Sequence, residues 1–294
     1  MNELFEEARK FIEEGKFREA IVIYEHIVKK MPDYHEARHD LARLLLECDE
    51  TDAAIIVLDE GLARDNGEVP FWFLKGIIYL KLKKYNESLK SFKMVEKLEG
   101  LSTPLVLNMG LVHRELGAVS VGLELLENWL ERSEGESAIY CLIAELKMEV
   151  KEWDQALIVV EQGLRKDEKN INLLYLKGVL LSRKKKWLEA IPILRKLIDT
   201  MPNNMTIMHE LGWAYIQISH LEGGIELLEK CYAANPTNFS VLFDLAAAYS
   251  QVPDFEKSMA FAKKAEALDP YDASIQDLIR EIQIAKTQMG EGEK

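Results

Sequence analysis

The sequence is poor in the residues that build disulfide scaffolds, membrane anchors and sorting signals. It has only 3 cysteines in 294 residues, widely separated and without a C-x-x-C pair. This pattern is typical of reduced thiols in a cytosolic protein and gives no support to a disulfide framework or a zinc knuckle. No apolar run is long enough to span a bilayer, and the N-terminus has neither a basic start nor an apolar stretch. We therefore expect a cytoplasmic protein with no membrane insertion and no secretory signal.

Basic charge is also scarce. The chain has 37 lysines and arginines against 50 aspartates and glutamates, which gives a formal net charge of -13. A protein that binds nucleic acid needs a concentrated basic surface for its phosphate contacts, so we expect no nucleic-acid partner. The hydrophobic fraction of 48% excludes a disordered chain.

What the sequence has in abundance is small residues at a constant interval of 34. A fixed period in this range indicates an array of identical supersecondary units, each of which buries its core against its neighbours. Two columns of small residues keep this step without interruption. The first column is Ala8, Ala42, Gly76, Gly110, Ala144, Gly178, Gly212 and Ala246, and the second is Ala20, Ala54, Ser88, Gly122, Ala156, Ala190, Gly224 and Ser258.

Each period reads as helix, short turn, helix and stop. In the first period, apolar residues recur at helical spacing on both sides of Gly15-Lys16, and Pro32 ends the pattern because proline disfavours helix in the residue before it. We expect the two small columns to face each other where the paired helices cross closely, since larger side chains there would separate the helix axes.

The period predicts eight tandem repeats over residues 1–272, followed by one capping helix. Arg280 stands where the next small residue would fall, so we expect no ninth hairpin. The capping helix is predicted over 271–288 and a frayed tail over 289–294. The eight repeats are predicted to start at 1, 35, 69, 103, 137, 171, 205 and 239.

The residues of the repeat resemble the tetratricopeptide repeat. The clearest match is Leu211-Gly212-x-x-Tyr215, which continues to Gly224, Leu228 and Pro236. This resemblance implies an all-α, right-handed superhelical solenoid of helical hairpins, in which the first helix of each pair lines a concave face. It also implies a non-catalytic scaffold that recognises another protein, as a peptide or a helix, and that needs no cofactor or metal.

One stripe of the first helices is predicted to line that groove. It lies about 100° around each helix from the packing stripe, because each residue turns the helix by that angle. Large apolar groups on it predict a groove for an apolar or amphipathic segment; alternatively, the side chains cover one another within the array. The candidate groove residues are Phe73, Ile77, Leu80, Leu107, Leu111, Arg114, Tyr175, Val179, His209, Trp213 and Phe243.

Two other functions stay open at this point. One is a self-assembling structural scaffold, in which a groove or an end of the array takes up a second copy, making a homo-oligomer. The other is a zinc-dependent hydrolase, because His35-Glu36-x-x-His39 has the spacing at which two histidines on one helix face bind zinc and a glutamate acts as base. Glu60 is the candidate third ligand. We expect no catalytic or metal site here, because the repeat places His35 at a helix entrance and Glu60 on a packed second helix.

Overall fold

The computed structural model describes residues 2–133 and 135–292, and these residues form 17 helices and no strand. The predicted all-α class is therefore confirmed for this part of the chain. We call odd-numbered helices first helices and even-numbered ones second helices. The helices are α1 (Asn2–Glu13), α2 (Phe17–Lys30), α3 (His35–Glu47), α4 (Thr51–Leu62), α5 (Val69–Lys81), α6 (Tyr85–Glu99), α7 (Thr103–Glu115), α8 (Val119–Arg132), α9 (Ser137–Glu149), α10 (Trp153–Lys166), α11 (Ile171–Arg183), α12 (Trp187–Thr200), α13 (Met205–Gln217), α14 (Leu221–Ala234), α15 (Phe239–Gln251), α16 (Phe255–Leu268) and α17 (Ala273–Gly292).

The chain divides into two compact units, and the division falls inside α9. Unit 1 is Met1–Leu146 and unit 2 is Lys147–Lys294. From α1 to α8 and from α10 to α17 each helix packs on its neighbours in chain order, and each first helix from α11 to α15 also touches the next first helix. None of the described helices combines the length and the apolar character needed to cross a bilayer.

Capping side chains fix where several first helices begin. Asn170, Asn204 and Asn238 each precede a first helix, and their side-chain oxygens accept hydrogen bonds from the backbone N–H groups of that helix's first turn. Such caps satisfy donors that have no partner inside the helix. Since these asparagines are 34 residues apart, the helix starts repeat with the same step.

The turn inside the hairpins has a left-handed residue at the same position of most repeats. Gly15 and Gly117 occupy it in two of them, with φ of 73° and 72°. Elsewhere the residue has a side chain and is conformationally less favourable. These non-glycine residues are Asp49, Lys83, Lys151, Lys185 and Ser219.

The two small columns meet at the predicted crossing of the third, seventh and eighth hairpins. The Ser88 hydroxyl donates to the Gly76 carbonyl oxygen at 2.7 Å, and a Cβ built on Gly224 would lie 2.8 Å from the Gly212 carbonyl oxygen. Ser258 makes the same 2.7 Å hydrogen bond to Ala246. The expectation that small side chains let the paired backbones approach is therefore confirmed at these hairpins.

A buried arginine joins the first two hairpins of unit 1. The Arg38 side chain is only 3% exposed. Its guanidinium donates to the carbonyl oxygens of Val57 at 3.0 Å and of Pro32 at 3.2 Å, and to the carboxylate of Glu60 at 3.1 Å. One side chain thus connects α3, α4 and the turn between α2 and α3.

The last helix is longer than the sequence predicted. It runs over Ala273–Gly292, so residues 289–292 belong to the helix. Residues 293–294 of the predicted tail lie outside the described residues. The apolar stripe of α17 packs into a core shared with α15 and α16, as a capping helix requires. Its buried members are Ile275, Leu278, Ile279 and Ile282.

Candidate functional site

In unit 1, part of the predicted stripe belongs to the packing between neighbouring helices. Phe73, Ile77 and Leu80 of α5 are half-buried against a core cluster formed by α6 and α7. The Phe73 ring lies 5.6 Å from the ring of Phe92, which is fully buried. For these three residues the packing favours the alternative in which the side chains cover one another.

The remaining stripe residues of unit 1 lie on α7. Leu107 and Leu111 are half-buried, and Arg114 lies with its guanidinium 3.7 Å from the Glu145 carboxylate of α9. No cavity described in unit 1 collects these side chains with those of α5.

In unit 2 the predicted stripe divides into packed and accessible residues. Val179 of α11 is buried, with 5% of its surface exposed, so it offers a partner almost no contact area. Tyr175 of the same helix is half-buried against a core cluster of α12 and α13 and borders a small surface cavity. His209, Trp213 and Phe243, by contrast, all open onto one larger cleft.

This cleft is built by four first helices in succession. We call it the Trp213 cleft, and its volume is about 320 Å³. Every residue that lines it lies on an odd-numbered helix. The lining residues are Arg183 of α11, His209, Glu210 and Trp213 of α13, Phe239, Ser240, Phe243 and Asp244 of α15, and Ser274 of α17.

Two carboxyl groups that the sequence analysis did not single out lie in the cleft. Their side chains are only 15% exposed for Glu210 and 14% for Asp244. His209 Nε2 lies 2.7 Å from Asp244 Oδ2, whereas the Glu210 carboxylate pairs with the guanidinium of Arg183 at the longer distance of 3.8 Å. Glu210 and Asp244 are 34 residues apart and so occupy the same repeat position, where the third, fifth and sixth repeats have leucine. Because Glu6 and Asp40 occupy the same column, the position is acidic in half of the repeats, and it carried no signal that set Glu210 and Asp244 apart.

Burial dominates the electrostatics of both acids. It raises the pKa of the Glu210 carboxyl above its ordinary value, and Arg183 and His209 offset this only in part. Burial also raises the pKa of Asp244, against the opposing hydrogen bond from His209. A raised pKa means that the charged form is poorly compensated where it lies. The cleft therefore combines aromatic walls with carboxylates that lack a strong counter-ion.

The residues of the H-E-x-x-H motif do not come together around one point. His35 Nδ1 lies 2.7 Å from Glu68, and His39 Nδ1 lies 3.9 Å from Asp40. Glu60, the candidate third ligand, accepts from Arg38 instead. Among the described residues, the group of potential ligands around His35 contains Asp65 and Glu68 but neither His39 nor Glu36.

Family models match both units of the chain. Models of the tetratricopeptide repeat match residues 11–78 and 69–99, and a model of the Psidin N-terminal tetratricopeptide repeat region matches residues 146–271. The chain is a tetratricopeptide repeat protein. Such proteins are generally non-catalytic scaffolds for protein–protein interaction. No protein with a curated description matches the sequence.

Solved structures share the fold of this tetratricopeptide repeat protein at low sequence identity. A chain of the APC/C hetero-tetramer Cut9-Hcn1 is 15% identical over 95% of this chain, with a TM-score of 0.68, and this chain spans 55% of its length. MamA 41-end from Desulfovibrio magneticus RS-1 is 19% identical over 58% of this chain and 96% of its own, with a TM-score of 0.52. At these identities the likeness extends to the fold alone.

The raised pKa of Glu210 gives a stability prediction for this tetratricopeptide repeat protein. A carboxyl that protonates more readily when folded contributes stability below its ordinary pKa of 4.5, and that contribution is lost as the pH rises through the raised value. We expect Glu210→Gln, which mimics the protonated form, to raise the urea midpoint at pH 7 and to match wild type below pH 4.5. Glu222→Gln removes an exposed charge from α14 and is the matched control. A midpoint for Glu210→Gln below that of wild type at pH 7 would contradict the prediction.

Proposed function

We propose that this chain is a non-catalytic scaffold that binds a segment of another protein on the first-helix surface of unit 2. The observation that carries the proposal is the Trp213 cleft. It is the site at which three predicted groove residues, His209, Trp213 and Phe243, share one accessible cavity.

The chemistry of the cleft suits a polypeptide partner. Aromatic side chains that are partly buried but accessible are the residues that most often dominate protein–protein binding, because they supply large rigid surfaces at low entropic cost. Trp213 and Phe243 are both half-buried and lie on adjacent first helices, α13 and α15. A segment that crosses these helices would contact both rings and the polar groups between them, in the manner of peptide or helix recognition in a groove.

The test is selection of binding peptides from a random library displayed on phage, using the full chain as bait. We expect enriched peptides to lose at least tenfold in affinity for the variant Trp213→Ala plus Phe243→Ala, because aromatic anchors of this kind contribute about 2 kcal/mol or more. Trp187→Ala is the matched control, since it removes a half-buried tryptophan of the same unit from a second helix that does not line the cleft. Circular dichroism melts show whether each variant keeps its fold.

Two results would overturn the proposal. One is a selection that enriches no peptide over the bare support. The other is enriched peptides that bind the folded double variant as tightly as wild type. If the partner is a second copy of this chain, light scattering will show a mass that rises with concentration and falls back to the monomer in the double variant.

A further inference from the structure

We propose that the anchor which the Trp213 cleft accepts from a partner is a basic side chain, arginine or lysine, held between the aromatic walls by Glu210 and Asp244. This inference rests on the proposed function, because it names the chemistry of the segment that the same cleft would bind.

The negative charge in the cleft is poorly balanced. An ionised carboxylate only accepts hydrogen bonds and has several lone-pair directions to satisfy. Asp244 has one close partner in His209, and the nearest cation to Glu210 is the guanidinium of Arg183 at 3.8 Å, which is 59% exposed. Burial raises the pKa of both acids, so neither charge is well compensated by the groups that face it. A cation entering the cleft would supply the donors that these carboxylates lack.

Aromatic rings form a wall of the cleft. Trp213, Phe239 and Phe243 line the cleft, and the rings of Phe239 and Phe243 are stacked with their centroids 6.4 Å apart. The face of an aromatic ring carries partial negative charge and attracts a cation above it. Unit 2 already places its own lysines in this way, since Lys264 Nζ lies 4.9 Å from the Tyr232 ring centroid.

Other anchors fit the cleft less well. An apolar side chain would cover Glu210 and Asp244 without supplying a donor, and burying a carboxylate with no counter-ion is strongly unfavourable. An acidic side chain would meet two like charges. A basic side chain is the only one of the three that is attracted by both the carboxylates and the rings.

The experiment uses the full chain labelled with 5-fluorotryptophan. The chain has five tryptophans and therefore gives five fluorine NMR signals. The Trp213 signal is assigned by its loss in Trp213→Phe. The probes are Nα-acetyl-arginine amide and Nα-acetyl-lysine amide, with Nα-acetyl-citrulline amide as the neutral isostere of arginine. We expect the Trp213 signal to shift saturably with one or both basic probes, while citrulline amide leaves it in place and the Trp72 signal does not respond.

Three charge variants make the test specific. Glu210→Gln is expected to weaken binding of the basic probe at least fivefold, and Arg183→Gln to strengthen it, because Arg183 is the resident cation that a ligand must displace. Glu222→Gln, which removes the same charge from an exposed site, is expected to change nothing. Citrulline amide binding as tightly as arginine amide, neither basic probe shifting Trp213, or equal losses in Glu210→Gln and Glu222→Gln would each overturn the inference.

Failure of the anchor and failure of the proposed function give different results. If selected peptides lose binding in the Trp213→Ala plus Phe243→Ala variant but not in Glu210→Gln, the partner surface stands and the basic anchor is wrong. If the basic probes bind at Trp213 but no peptide is ever selected, the anchor site stands and the proposed function is wrong.

Discussion

Replacing Arg38 with alanine is expected to lower the free energy of unfolding of this chain by about 2–4 kcal/mol, since hydrogen bonds made by a charged group contribute about 1.5–3 kcal/mol and the buried stem is lost with them. The substitution leaves the carbonyl oxygens of Val57 and Pro32 without the guanidinium that now donates to both. It also removes the arginine stem from contact with the small residue Gly61, beside the fully buried Phe71. Urea denaturation followed by circular dichroism measures the loss.

Two controls separate the buried hydrogen bonds from charge alone. Arg64→Ala breaks an exposed pair with Asp33 and is expected to cost less than about 1 kcal/mol, as exposed ion pairs do. Glu60→Gln keeps both carbonyl hydrogen bonds of Arg38, so its cost is also expected to be small. If Arg38→Ala is no more destabilising than Arg64→Ala, the buried guanidinium does not hold the first two hairpins together.

The role of Arg38 was not predicted, although its position carried a signal. It occupies the repeat position of Leu4, in a column that is apolar or aromatic in the other repeats, for example Trp72, Val106 and Leu242. An arginine in such a column must either lie at the surface or bury its stem and find acceptors for its five donors. Which of these occurs depends on the carbonyl oxygens that the neighbouring hairpin presents, and sequence spacing does not reveal them.

The periodic features of the fold were predictable because one physical requirement repeats. Small residues must stand where paired helices cross, so the columns of Gly76 and Ser88 set the phase of the whole array. The left-handed residue of the hairpin turn was harder to recognise from the sequence. Glycine marks the left-handed position at Gly15, but lysine occupies it at Lys83 and Lys185, where the closing hydrogen bonds of the turn hold a conformation that the residue itself does not favour.

For the candidate site, the sequence predicted a stripe of the first helices but not which residues of that stripe would be accessible. Helical geometry places Val179 and Trp213 on the same stripe, yet Val179 is buried and Trp213 opens onto a cleft. The difference arises from how neighbouring first helices pack, which residue spacing alone does not specify. Glu210 and Asp244 lie one residue beyond the His209 and Phe243 positions of the stripe, so they fall outside the face that helical geometry predicts.

Replacing Gly224 with alanine is expected to destabilise the chain by about 1–3 kcal/mol, the usual cost of overpacking a filled interior. The added Cβ would lie 2.8 Å from the Gly212 carbonyl oxygen and 2.5 Å from Ile216 Cδ1. The carbonyl belongs to the backbone of α13, so the helices of this hairpin must separate to accept one methyl group. This loss exceeds the gain of up to about 1 kcal/mol that alanine brings over glycine inside a helix.

Gly223→Ala is the matched control because it makes the same chemical change one residue earlier in α14. The three atoms nearest to its Cβ all belong to the ring of His220, an exposed side chain and not the backbone of a neighbouring helix. We therefore expect Gly223→Ala to be neutral or to stabilise the chain by up to about 1 kcal/mol through helix propensity. Opposite signs for these neighbouring substitutions, measured as urea midpoints, would locate the effect at the helix crossing. A Gly224→Ala variant as stable as Gly223→Ala would mean that the two backbones are not in contact there, and that the small columns have another cause.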